Sequence, residues 1–216
     1  MHRKTFLVEK YMLTKEEIIR EEVIETAQKL FQKFGFSKTT MEDIAKAMGR
    51  GKSTLYYYYK SKDEIFEAVI LKEADEVFST VSEATRKASS AEEKLQAYLK
   101  TSFETIKSRM NLYGAMKEEL FGEGDFLLSR PAMRAPIKEY HNREKQAVKD
   151  ILFLGIENNE FTPDLKENID LVAYIVITSL RSISVDLAFN EEDLSPFFEA
   201  DKINAMITIL LRGVKI

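Results

Sequence analysis

Thr39–Ile65 reads TTMEDIAKAMGRGKSTLYYYYKSKDEI, and the spacing inside this stretch decides the architecture. Thr40 is a helix N-cap with Asp43 three residues on. Met41, Ile44, Ala45 and Met48 follow at i, i+3, i+4 and i+7 and give one apolar face. Gly49 ends that short helix, because the turn needs a residue tolerant of positive φ. A second short helix is expected from Lys52 to Tyr59. Two short helices joined through Gly49-Arg50-Gly51 have the pattern of a helix-turn-helix. In such a unit the first helix crosses the nucleic-acid backbone and the second enters the major groove.

The second helix sorts its own faces. Leu55 and Tyr59 lie four apart and point inward, with Tyr58 also read as packing. Ser53, Tyr56, Tyr57 and Lys60 form a stripe about half a turn away. Hydroxyls donate to phosphates, tyrosine rings contact sugars and thymine methyls, and lysine neutralises phosphate charge. The amides at the Lys52 end and the hydroxyl of Thr40 offer further phosphate contacts. Taken singly, tyrosines on a short helix are ordinary packing and basic residues an ordinary solvated face. Their spacing and the preceding turn favour the groove-facing reading.

Outward from this stretch, helix ends are legible. Thr14-Lys15-Glu16-Glu17 is a capping box. It opens a helix over about Lys15–Phe34, with Ile19, Val23, Ala27, Leu30, Phe31 and Phe34 at helical spacing and Gly35 as its stop. Ser61-Lys62-Asp63-Glu64 and Ser90-Ala91-Glu92-Glu93 open two more helices. Tyr113–Phe121 reads as a helix stopped by Gly122, and Pro131 and Pro136 as flanking a break. Long helices are expected over Ile137–Asn158 and Asn168–Phe189, and a last one over Ala200–Arg212. The Val- and Ile-rich stretch 172–177 has strand propensity but sits in a long segment without turn residues, so it is read as helix. Residues 1–13 read as a flexible, basic N-terminal extension.

Thr39–Ile65, preceded by Gly35-Phe36, resembles the DNA-binding signature of the TetR family, with the match covering about Ile18–Val69. The resemblance implies an all-α fold: an N-terminal three-helix DNA-binding domain over 14–66, and a larger helical domain over 67–216 for effector binding and dimerisation. It implies phosphate or base contacts at Thr40, Lys52, Ser53, Thr54, Tyr56, Tyr57 and Lys62. Lys60 joins them from the stripe. Two positions depart from the family pattern, which commonly has an aliphatic residue at Arg50 and a serine at Gly51. Arg50 fits either a phosphate contact or a solvated position. Gly51 leaves the second helix without a cap side chain, at a cost of only a few tenths of a kcal/mol.

Composition agrees with this division. The 216 residues carry a net charge of −4, yet Lys38–Lys62 holds six bases against two acids. A basic island on an acidic body suits a nucleic-acid module joined to a domain with another task. There are 8 glycines, 4 prolines and no cysteine, which favours long helices, excludes disulfides and thiolate chemistry, and fits a reducing, cytoplasmic setting. The longest apolar run, Leu171–Ile177, is far short of the ~20 residues of a membrane span. The N-terminus lacks an apolar core of signal-peptide length. Catalysis is not expected. The two histidines are His2 and His141; Lys138 stands three residues before His141, so there is no Glu-x-x-His pair for a metal-binding bundle. No phosphate loop or nucleophile elbow occurs. No cofactor or metal is called for.

The expected activity is that of a DNA-binding regulator. It would be a homodimer on a palindromic operator, since two-fold proteins read inverted half-sites. The last two long helices resemble the family's dimer-forming pair through Leu171, Ile175, Leu180, Ile203, Met206, Ile207 and Leu210, residues that suit a monomer core equally. An apolar or amphipathic effector is expected to release the DNA. Candidate pocket walls are Phe103, Ile106, Met110, Tyr113, Met116, Phe121, Phe126, Tyr140, Phe153 and Tyr174. Methionine and aromatic side chains make adaptable apolar walls, although a plain core uses the same residues. Arg181 is a lone cation in an apolar helix, suited to an anionic ligand or, preferably, to a pair with Asp186 or another acid. The alternatives are a DNA-binding regulator without an effector, and a helical interaction module.

Overall fold

The computed structural model describes residues 14–115, 131–189 and 200–214. Among these residues the chain is helical, without strands: α1 (Lys15–Phe34), α2 (Met41–Ala47), α3 (Lys52–Tyr58), α4 (Lys62–Lys87), α5 (Ala91–Ala115), α6 (Pro131–Glu157), α7 (Leu165–Phe189) and α8 (Ala200–Val214). It divides into two compact units, one ending at Lys72 and the other beginning at Glu73, so the division falls inside α4.

The first unit is built around α1. Thr14 caps it reciprocally: its Oγ1 accepts from the Glu17 amide, and its own amide donates to the Glu17 carboxylate at 2.7 Å. Gly35, at φ 83°, closes it with an amide hydrogen bond to the Phe31 carbonyl. The apolar face of α1 buries Ile19, Val23, Ala27 and Phe31 against Met41, Ile44, Leu55, Ile65 and Phe66 in one small core. Three aromatic rings meet at one side of it, with Phe31 and Phe66 buried and Phe36 half-buried. Phe36 meets Phe66 edge-on at 4.8 Å, and Phe31 lies 5.4 Å from Phe36.

In the second unit α5, α6, α7 and α8 pack together around Leu95, Leu99, Phe103, Val148, Leu152, Ala173, Ile177, Ile207 and Leu211. Two expectations change here. Pro136 lies within α6, which starts at Pro131 rather than at Ile137. Pro131 takes the first turn, where a missing amide is harmless. The Met133 side chain in that turn is buried, and burial of an apolar side chain is comparable in size to the cost of the hydrogen bond lost at Pro136. Residues from Tyr113 do not start a separate helix: α5 continues through Gly114 to Ala115, and the remainder of the expected Tyr113–Phe121 helix lies outside the described residues, as does the 1–13 extension. The stretch 172–177 is helical. Glu160 caps α5 from a distance, its carboxylate accepting from the amides of Ala91 and Glu92 at 3.1 and 2.9 Å.

Candidate nucleic-acid interface

The helix-turn-helix forms from the residues that announce it. Thr40 and Asp43 cap α2 reciprocally, and these hydrogen bonds hold the Asp43 carboxyl below its ordinary range. The C-terminal end of α2 is a Schellman turn. Gly49 donates to the Lys46 carbonyl and Arg50 to the Ala45 carbonyl, both at 3.0 Å, with Gly49 at φ 65°. Gly51 then starts α3 with extended backbone and no side-chain cap.

On α3 the sorting is sharp. Leu55 is the one buried residue of this helix, while Tyr57 is 74% exposed and Tyr56 43%. Lys52 and Ser53 are exposed and Thr54 half-buried. Tyr58 is half-buried and Tyr59 buried, as packing residues should be. Tyr57 and Tyr58 meet edge-on at 5.0 Å. The helix ends at Tyr58, one residue earlier than expected, because Tyr59 turns to extended backbone and buries its ring. Lys60 therefore lies past the helical stripe, exposed, with its amide donating to Glu64 at 2.5 Å.

The basic residues around this face have local partners. Lys52 donates to Glu42, which holds the Glu42 carboxyl down and the Lys52 ammonium up, and its Nζ lies 5.7 Å from the Tyr56 ring. Arg50, open to two readings in the sequence, donates to Glu22 of α1 at 2.7 Å. Lys62 donates to the Phe36 carbonyl at 2.7 Å with its ammonium 4.1 Å over the Phe36 ring. Thr40 is exposed at the start of α2. Two contributors escape a reading of the sequence. Arg20 donates to the Tyr58 carbonyl at 2.9 Å, and Glu22 holds Arg50. Both look like ordinary solvated charges until α3 is laid against α1.

In the second unit the candidate pocket residues separate. Phe103 is buried, Ile106 and Tyr140 half-buried, and Phe153 partly exposed. Tyr174, expected as a wall, is 62% exposed on the outer face of α7. The side chains of Met110 and Tyr113, and residues Met116, Phe121 and Phe126, lie outside the described residues, as does the Asp186 side chain. Arg181 lies 4.0 Å from Glu144. Glu144 was not singled out in the sequence. Burial pushes its carboxyl up to about 7, only partly opposed by Arg181 and a hydrogen bond from Tyr140. Buried Tyr98 beside it is likewise pushed up, by burial first and then by Glu144. Of the apolar residues named on the last two helices, Leu180 and Ile207 are core. Leu171, Ile175 and Met206 are exposed, and so is Ile209. Among the described residues no group of metal-binding side chains comes together, and no helix is long and apolar enough to cross a membrane.

Residues 23–69 match the family model for bacterial regulatory proteins, tetR family. The transcriptional repressor KstR2 of Mycolicibacterium smegmatis is 30% identical over 77% of this chain and 77% of its own. The solved structure of the ketosteroid transcriptional regulator KstR2 of Mycobacterium tuberculosis superposes with a TM-score of 0.61 at 24% identity, over 91% of this chain and 95% of that one. The regulator FadR of Bacillus subtilis, solved with stearoyl-CoA, shares the fold with a TM-score of 0.66 at 19% identity, over 89% and 98%. With a helix-turn-helix that exposes its tyrosine face and a helical C-terminal domain following it in the chain, the protein belongs to the TetR family of bacterial DNA-binding transcriptional regulators.

Proposed function

We propose that the protein is a repressor that binds a palindromic operator as a homodimer and releases it on binding an apolar or amphipathic small molecule. Residues 14–66 are the DNA-reading module and residues 67–216 the effector and dimer domain. The observation that carries the DNA half is the exposure of Tyr56 and Tyr57 on a helix whose opposite side is anchored by Leu55. Ser53, Tyr56 and Tyr57 read the groove; Thr40, Lys52, Thr54 and Lys60 reach phosphates. Lys52 exchanges Glu42 for a phosphate on binding.

The dimer reading is supported by a row of apolar side chains on α7. Leu171, Tyr174 and Ile175 lie at i, i+3 and i+4 and are 54%, 62% and 48% exposed, with Met206 and Ile209 exposed on α8. Such a row is costly in water and suits a second copy. The effector reading is supported by Tyr140, which hydrogen-bonds Glu144 of the Glu144–Arg181 pair, and by the buried aromatic ring of Phe103 in the same helical unit. Stearoyl-CoA, held by the FadR fold, is an amphipathic molecule of the expected class.

The test is selection of duplexes from a random pool with the wild type and Tyr57→Ala, followed by an effector screen on the selected operator. An inverted repeat enriched by the wild type and lost with Tyr57→Ala is expected, with release by at least one amphipathic compound. Failure to enrich any sequence would leave the protein a helical interaction module. An operator that no apolar or amphipathic compound loosens would leave a regulator without such an effector.

A further inference from the structure

The recognition helix is short and thinly anchored. Seven residues do not hold a helix in water by themselves, and α3 contributes one buried side chain, Leu55, to the core. One apolar anchor fixes where a helix sits but leaves it free to roll and tilt about that point. Groove reading demands that Ser53, Tyr56 and Tyr57 face the bases in one orientation.

Helix α1 supplies what the apolar contact lacks. At 3.6 residues per turn, Arg20 and Glu22 fall on opposite sides of the Ile19–Val23 stripe that packs in this core. Glu22 accepts from Arg50 at 2.7 Å, in the turn that leads into α3. Arg20 donates to the carbonyl of Tyr58, the last residue of α3, at 2.9 Å. Its guanidinium carbon also lies 5.7 Å from the Tyr58 ring centre and 5.4 Å from that of Tyr59. That carbonyl belongs to the helix end that lacks internal partners and carries partial negative charge, so a guanidinium suits it doubly.

We propose that Arg20 and the Glu22–Arg50 pair are positioning residues for DNA reading, two polar ties from α1 that set the roll and tilt of the recognition helix at its two ends. This rests on the reading of α3 as the groove-entering helix. It assigns Arg50 an intramolecular role in place of a phosphate contact. The Arg50–Glu22 pair is exposed, and such pairs add little to stability. Its effect therefore falls on specificity.

Electrostatics and positioning predict opposite signs for Glu22→Gln. Removing a negative charge near the DNA face strengthens binding to every duplex if charge alone matters. If Glu22 positions α3, binding to the operator weakens while binding to unrelated duplex stays level or tightens. The experiment uses the full-length protein and the operator selected by the wild type. Affinities for operator and unrelated duplex are measured over a range of salt for wild type, Glu22→Gln, Arg50→Gln, the double variant and Arg20→Gln, with Tyr57→Ala as the groove-face control and thermal melts to verify folding. Glu22→Gln and Arg50→Gln are each expected to lower the operator-to-unrelated ratio a few-fold, about the most an exposed pair can hold, and Arg20→Gln about tenfold, the cost of roughly one mismatched base pair. The double variant is expected to be no worse than either of its single variants, and the salt slope of Arg50→Gln to match the wild type. An intact ratio in Glu22→Gln and Arg20→Gln, or a salt slope lowered by about 1 in Arg50→Gln as for a lost phosphate contact, overturns the ties while leaving the DNA reading in place. A wild type that enriches no sequence, or a Tyr57→Ala variant that binds the operator normally, overturns the DNA reading and the ties with it.

Discussion

The ring of Phe161 lies directly over Gly155: a Cβ on Gly155 would fall 2.0 Å from Phe161 Cδ2 and 2.7 Å from its Cγ. Phe161 is fully buried, and its amide returns to the Gly155 carbonyl at 3.0 Å, so neither ring nor backbone has room to yield. Gly155→Ala is expected to cost about 3 kcal/mol or more, as overpacking of a rigid core does. Adding Phe161→Ala removes the clash, so the double variant should lose less than the sum of the two singles. Denaturant melts of the four proteins measure this, and additive losses would show that the ring does move aside.

Gly51 offers the opposite case. Its φ of −72° is ordinary for any residue, and an added Cβ would meet only Ser53 Oγ at 3.7 Å. A serine hydroxyl there supplies the missing cap of α3. Gly51→Ser should raise stability by a few tenths of a kcal/mol, about 1 °C in Tm for a chain of this size. Calorimetry reads the shift, and a lower Tm would mean that the turn needs glycine for another reason.

Lys52 leaves Glu42 for a phosphate in the proposed complex. Lys52→Ala should weaken binding to all duplexes alike and lower the salt slope by about 1. A loss confined to one base position would make Lys52 a base-reading residue instead.

The exposed α7 row tests the dimer. Tyr174→Glu places a charge where an aromatic ring would be buried between copies, and should raise the dimer dissociation constant about 30-fold, equivalent to roughly 2 kcal/mol. The melt of the monomer should scarcely change, because the side chain is outside the core of the chain. Sedimentation equilibrium decides, and an unchanged dimer would move the interface to another surface.

Glu144 makes stability depend on pH. Its carboxyl is pushed up to about 7 in the folded chain from an ordinary 4.5, so the folded state favours the proton. The resulting stabilisation is fully present below pH 4.5 and is lost as pH rises through about 7, a swing on the order of 3 kcal/mol. Glu144→Gln should flatten this part of the profile and make the protein more stable than wild type above pH 7. Urea titrations at stepped pH measure it, and parallel profiles would mean that Arg181 and Tyr140 satisfy the carboxylate fully.

The sequence by itself determined the DNA-reading module. Capping residues, the positive-φ glycines and the spacing of small apolar faces act between near neighbours, so Thr40–Asp43, Gly49, Leu55 and the exposed Tyr56–Tyr57 pair read directly off the chain. The long helices of the second unit were legible for the same reason. Tertiary structure decided the rest. Pro131 and Pro136 read as flanking a break, yet both lie in one helix whose first turn buries Met133. Tyr174 looked like a pocket wall because periodicity marks an apolar side chain without saying whether it faces the core or another molecule. Arg20, Glu22 and Glu144 carried no local signal, since a charge acquires its role only from the distant residue that folding brings against it.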